Sequence, residues 1–282
     1  MRRHSQAVVA ELCGRFLRAV CAVLITLGAG PAFADFASAK AAYDRGDFET
    51  AVEEFLFLAE TGDPSAQTIV GVMFENGAGV EADKTQAAKW YRLAADQGNA
   101  AAQTNLGFMY DTGIGVAEDN AQAVKWFRAA ADQGADMAQY NLASLYALGE
   151  GVEQNMEEAA RWYRRAAEQD FAPAQIRLAE MYGKGDGVVQ DAAEAARLVR
   201  LAAEKGNAKA QYLLGNMYAE GNGVAKDYVK AYAWCGTAAA TGITPAAECF
   251  EHLRRLMDDV EKDQARHLTK EYRARYGTKT GS

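Results

Sequence analysis

Residues 100–135 read AAAQTNLGFMYDTGIGVAEDNAQAVKWFRAAADQGA, and the chain then repeats the pattern. Gln103 recurs as Gln139, Gln175 and Gln211 and stands earlier as Gln67, 36 residues apart each time. The loop Gly113-Ile114-Gly115-Val116 returns at 149–152, 185–188 and 221–224, and first occurs at 77–80. Trp126 matches Trp90, Trp162 and Trp234, with Leu198 breaking the column. A fixed period of this size is the signature of a repeat array, so residues 64–243 read as five units of 36 residues.

Each unit reads as two helices around a glycine loop. Ala102, Leu106, Met109 and Tyr110 share one face of a first helix, and Ala123, Trp126, Phe127, Ala130 and Ala131 one face of a second. The column Asp83, Asp119, Asn155, Asp191, Asp227 offers a side-chain acceptor to the free N–H groups of the second helix, which predicts an N-cap. Gly98, Gly134, Gly206 and Gly242 stand where that helix must close through a left-handed residue. Asp170 takes the same place once, and aspartate tolerates that conformation better than most residues. Neither helix can bury its apolar face alone, so stability must come from stacking.

The pattern Ala102-Gln103-x-x-Leu106-Gly107-x-Met109-Tyr110, Gly113-x-Gly115-Val116, Ala123-x-x-Trp126-Phe127-x-x-Ala130-Ala131-x-x-Gly134 resembles the Sel-one-like repeat, a relative of the tetratricopeptide repeat with a longer inner loop. The resemblance implies an all-α fold, a right-handed α-α superhelical solenoid of helix-turn-helix repeats. It also implies an interaction scaffold that takes a protein or peptide partner, since fold alone does not name one.

Residues 1–34 read as an export signal. Arg2, Arg3, Arg15 and Arg18 precede a short apolar run from Ala19 to Gly30, and Ala32-Phe33-Ala34 is an A-x-A cleavage site. That run is shorter than the roughly 20 residues a membrane span needs, and neither Cys13 nor Cys21 sits in a lipoprotein pattern. The expectation is cleavage after Ala34, a periplasmic product and no stable membrane anchor. Losing four Arg and one Glu would take the net charge from −8 to −11. An acidic chain without a basic run is a poor nucleic-acid binder, and it favours basic partners.

Residues 35–63 form a shorter first hairpin whose Ala51 and Phe55 lie 36 residues before Ala87 and Tyr91, an N-terminal cap for the array. Residues 244–276 read as C-terminal capping helices. One begins at Pro245, and another is capped by Asp258 or Asp259, with Ala265, Leu268, Tyr272 and Tyr276 spaced to pack on the array. Residues 277–282 are expected to be a disordered tail.

The chemistry-bearing residues are few. Cys235 and Cys249 lie about two helical turns either side of one interhelical turn, which predicts a disulfide in an oxidising compartment, worth about 3 kcal/mol by chain entropy. His252 and His267 have no metal-ligand spacing. Ser38, Ser65 and Ser144 stand in no hydrolase motif. Gly183-Lys184-Gly185-Asp186-Gly187 lacks the phosphate-loop pattern and recurs as a structural turn. Glu157-Glu158 and Asp258-Asp259 diverge by about 100° on a helix and make no acid–base pair. The reading is therefore not an enzyme, with no cofactor and no metal.

By similarity to tetratricopeptide arrays, the first helices line a concave groove. One groove column reads Thr68, Thr104, Tyr140, Ile176, Tyr212 and another Val72, Phe108, Ser144, Glu180, Asn216. The aromatics there offer contact area at low entropic cost, and Asn side chains can bond a peptide backbone. The partner-binding candidates are Asn105, Phe108, Asp111, Tyr140, Asn141, Tyr212 and Asn216, with Glu75 and Asp111 making one end acidic. The competing reading packs these aromatics against the neighbouring helix. The rival function is binding or weak hydrolysis of β-lactams or peptidoglycan, linked to cysteine-rich relatives that carry a disulfide in many repeats. This chain can form one after signal removal.

Overall fold

The structure, a computed structural model, describes residues 35–277. The expected signal segment and nearly all of the expected tail lie outside them. Among the described residues there are fourteen helices and no strand. They fall into two compact units that meet in sequence after Ala135.

The first unit holds α1 (Phe36–Asp44), α2 (Phe48–Glu60), α3 (Pro64–Asn76), α4 (Lys84–Asp96), α5 (Ala100–Thr112) and α6 (Asn120–Ala131). Consecutive helices pair as hairpins, and each hairpin packs on the next. The second unit holds α7 (Asp136–Leu148), α8 (Met156–Glu168), α9 (Ala172–Lys184), α10 (Ala192–Glu204), α11 (Ala208–Glu220), α12 (Tyr228–Ala239), α13 (Thr244–Leu256) and α14 (Asp259–Tyr276).

The signals at the helix ends act as the sequence suggests. Asp83, Asp119, Asn155, Asp191 and Asp227 each accept a backbone N–H from the first turn of the second helix of their repeat. Asp170, at φ 68°, is the one non-glycine residue with positive φ among the described residues, in the column otherwise held by glycine. Asp258 caps α14 in a reciprocal capping box with Glu261.

The tryptophan column and Leu198 are buried, as are Tyr91, Phe127, Tyr163, Val199 and Cys235 beside them. These side chains close on small residues of the paired first helix. A Cβ on Gly71 would come within 2.5 Å of the Tyr91 ring, and one on Gly107 within 2.7 Å of Phe127. In these two hairpins a large ring packs against bare glycine backbone.

The invariant glutamine is a hydrogen-bonding device. Gln67, Gln103, Gln175 and Gln211 are buried, and each amide donates to a carbonyl eight residues back, Ala59, Ala95, Ala167 and Ala203, at 3.0–3.1 Å. Each of these carbonyls also accepts the backbone N–H three residues on, at Gly62, Gly98, Asp170 and Gly206, so the amide takes the second lone pair at the helix end. Its own oxygen accepts from a second glutamine 30 residues on: Gln97 to Gln67, Gln133 to Gln103 and Gln169 to Gln139, at 2.7–2.8 Å. That second column breaks at Lys205, which pairs instead with Asp170. Gln175 Oε1 is accordingly buried without a partner. Lys205→Gln is expected to restore the ladder and raise stability by about 1 kcal/mol, the exposed ion pair it removes being worth less. A urea midpoint that falls would show that Lys205 serves the fold better than the missing amide.

A second device joins repeats on another side. Arg92 donates to the Tyr110 hydroxyl, Arg164 to Tyr182 at 3.0 Å and Arg200 to Tyr218 at 3.0 Å. In each case a second helix is tied to the first helix of the following repeat.

The C-terminal helices close the second unit. Tyr272 and Tyr276 of α14 lie on the Trp234 ring, with centroids 4.4 and 5.3 Å away. Leu253 and Met257 are buried, whereas Leu256 is half exposed. Cys235 of α12 is bonded to Cys249 of α13, with Cα atoms 6.0 Å apart.

Candidate functional site

On the first helices, the positions not consumed by packing recur at i, i+4, i+7 and i+11, one stripe per helix. In the first unit the stripe of α3 carries Ser65, Ile69, Val72 and Asn76, and that of α5 carries Ala101, Asn105, Phe108 and Thr112. No charged residue stands in either stripe. Phe108 is 47% exposed on this face. Asn105 and Asp111 are half-buried beside it.

Asn105 is held in place. The Tyr91 hydroxyl, reaching up from α4, donates to Glu75 at 2.7 Å and accepts from the Asn105 amide. Burial, reinforced by the Glu75 carboxylate, pushes Tyr91 well above the ordinary phenol range, so it stays a neutral donor at all physiological pH. Lys84 reaches the same place, donating to the Glu75 carbonyl at 2.6 Å. The acidic end expected at Glu75 is thus partly neutralised by an amine.

In the second unit the stripe of α7 carries Met137, Asn141, Ser144 and Leu148. That of α9 carries Pro173, Arg177, Glu180 and Lys184, and that of α11 carries Lys209, Leu213, Asn216 and Glu220. Met137 and Leu148 are more than half exposed. Arg177 bonds the Tyr140 hydroxyl and pairs with Glu180 at 3.0 Å, and these two contacts raise the Arg177 pKa in that order. Lys209 stands 3.8 Å from the same carboxylate. Ser144 shares a 2.8 Å hydrogen bond with Tyr163, whose pKa burial raises.

The candidate residues stand on three separate first helices. Asn105, Phe108 and Asp111 lie on α5. Tyr140 and Asn141 lie on α7, and Tyr212 and Asn216 on α11. The column carrying Tyr140 and Tyr212 is in part a packing column. Thr68, Thr104 and Ile176 in it are buried, and both threonine hydroxyls are turned back onto their own helix at Pro64 and Ala100. Tyr140 is half-buried, its ring 5.4 Å from Tyr163 and 5.5 Å from Phe171. Tyr212 is half-buried against the core around Cys235 and Leu253. The column of Phe108, one turn further on, has more free surface. Arg177 and Lys209 were not among the candidates, although their stripe positions were readable from the period.

Among the described residues no group of His, Cys, Asp and Glu could hold a metal ion, and no helix is long and apolar enough to cross a membrane.

The family model of the Sel1 repeat matches residues 64–99, 100–134, 136–171, 172–207 and 208–242. Among solved structures the chain is similar to a Sel1 repeat protein from Oxalobacter formigenes. The two share 31% identity and a TM-score of 0.74 over 85% of this chain and 99% of that one. It is also similar to c5321, a protective antigen present in uropathogenic Escherichia coli strains that displays an SLR fold. That likeness has 30% identity and a TM-score of 0.53, over 84% of this chain and 60% of the other. No curated protein matches the chain.

Proposed function

The chain belongs to the Sel1 repeat family, whose members are generally protein–protein interaction scaffolds, and from that premise we propose that it is a periplasmic scaffold holding a protein or peptide on the first-helix stripes. The observation that carries this reading is Phe108. A phenylalanine half in solvent is not required by the repeat, whose equivalent positions hold Val72, Ser144, Glu180 and Asn216. Beside it Asn105 is already oriented by Tyr91, so little rotamer entropy is lost when its remaining groups meet a partner backbone. The packing columns repeat while this stripe varies, which is the pattern of a surface specified by its ligand. Export to the periplasm is supported by the sequence of residues 1–34 and by the Cys235–Cys249 bond, which an oxidising compartment maintains. Regulation or assembly of an envelope process would suit such a scaffold.

The test is site-specific photocrosslinking in cells, with the reactive side chain at Phe108 and, as control, at the exposed Lys89 of α4. Capture of one protein from position 108, absent from position 89, is expected. Phe108→Ala should abolish the interaction of that protein with the purified chain while leaving its unfolding free energy within about 0.5 kcal/mol of the parent. Equal or empty capture from both positions would remove the stripe from consideration.

A further inference from the structure

A cavity of about 240 Å³ opens between α12, α13 and α14 in the second unit, lined by Tyr232, Arg254, Arg255, Lys262 and Arg266. Four of the five lining side chains are cations and none is a carboxylate. The surrounding protein does not explain this. The chain as a whole carries −8, and residues 244–276 hold seven basic and seven acidic side chains. The cations converge on the cavity while their acidic neighbours do not line it.

Tyr232 supplies an independent indication. It is 94% buried, since only 6% of its surface is exposed, and its ring is stacked on Phe250 with centroids 4.0 Å apart. Its hydroxyl makes no hydrogen bond within the described residues and opens onto the cavity, where it is free to donate to a ligand. The equivalent positions in the other repeats hold Ala88, Val124, Ala160 and Ala196, so the repeat itself does not ask for a tyrosine.

We propose that this cavity binds a phosphate-bearing group. Every polar lining group is a donor: two guanidinium forks from α13, one from α14, an ammonium, and a phenol with no acceptor of its own. An ionised phosphate is the complementary species, because its oxygens only accept, and planar guanidinium groups meet it in pairs. Arg254, Lys262 and Arg266 each also touch an exposed carboxylate three residues away: Glu251, Asp259 and Asp263. Such solvent-exposed pairs are weak enough to loosen when a stronger anion arrives. Arg255 is exposed and forms no ion pair or hydrogen bond among the described residues, so its charge is available from the start. Arg273, nearby on α14, is not part of the site because it donates to the Gly236 carbonyl at 2.7 Å. The phosphate could belong to a soluble phosphorylated molecule or to a lipid headgroup, and the chemistry of recognition is the same.

The experiment is titration of the purified protein with inorganic pyrophosphate by calorimetry at physiological salt, and in parallel with vesicles containing phosphatidylglycerol. Arg255→Ala and Tyr232→Phe are compared with the parent. The first leaves all packing in place, and the second keeps the ring on Phe250 while removing the donor. Each is expected to weaken binding about tenfold, the loss typical of one hydrogen bond to a charged group. Circular dichroism should be unchanged. Pyrophosphate binding that both variants weaken supports a soluble ligand. Vesicle binding alone, weakened in the same way, supports a headgroup. No binding in either arm, or binding that neither substitution affects, overturns the proposal.

Discussion

Phe127→Ala is expected to cost about 4 kcal/mol of folding stability, the upper part of the range for deleting a buried ring. Phe127 is fully buried, and its ring stands against the bare backbone of Gly107 on α5. Helical backbone on both sides of that gap resists collapse, so most of the ring's volume would persist as a cavity. The unfolding free energy from urea titration gives the measurement. A loss below about 1.5 kcal/mol would mean that the hairpin can close over the gap and that the ring–glycine pairing is dispensable. Gly107→Leu added to Phe127→Ala should recover part of the loss, since the new side chain enters the same space from the opposite helix.

Gly223→Ala is expected to cost about 3 to 4 kcal/mol, combining a left-handed backbone with a collision. Gly223 has φ +70°, and a Cβ there would stand 1.9 Å from the Ala192 carbonyl oxygen at the start of α10. Backbone is on both sides of that contact, so nothing can rotate away. Gly115 meets the Lys84 carbonyl and Gly187 the Met156 carbonyl in the same way, so each loop is seated on the second helix of the repeat before it. Gly98 is the control. Its φ of +90° is equally left-handed, but a Cβ there meets nothing within 4 Å. Gly98→Ala should therefore cost only the conformational part, about 1 kcal/mol. Equal losses at the two positions would show that backbone angle alone, and not the seating of the loop, makes Gly223 necessary.

The repeat was legible because its period is free of insertions, and the capping columns followed from side-chain chemistry alone. Asp170 is the clearest case: its neighbours in the column are glycines, and it adopts their backbone angle. The glutamine column was visible but its work was not, since a buried amide reaching eight residues back depends on the angle between hairpins. The same holds for the arginine–tyrosine ties. Arg92, Arg164 and Arg200 recur at the repeat period, as do Tyr110, Tyr182 and Tyr218, but sequence alone does not say that the two columns meet. Among the candidate surface residues, Phe108 and Tyr140 looked alike on paper. They separate only when burial is seen, because one turn of helix divides a stripe facing solvent from a column facing the next hairpin. The basic cavity had no signal in the period. Its residues come from three helices, two of them outside the repeats.

The buried amide ladder also makes the end of the array a matter of grammar. Gln211 donates not only to the Ala203 carbonyl but also, at 2.7 Å, to that of Tyr276, the last residue of α14. Among the described residues the final repeat is thus marked by a glutamine bond to the closing helix, with Thr241 in the column that holds glutamine at 97, 133 and 169. A duplicated repeat inserted at residues 100–134, where the ladder is intact, would meet neighbours that speak the same syntax. One inserted between α12 and α13 would part Gln211 from Tyr276 and Cys235 from Cys249 together. Lengthening of this protein in evolution is therefore expected upstream of its fifth repeat, with the C-terminal stop carried along as a single inherited block.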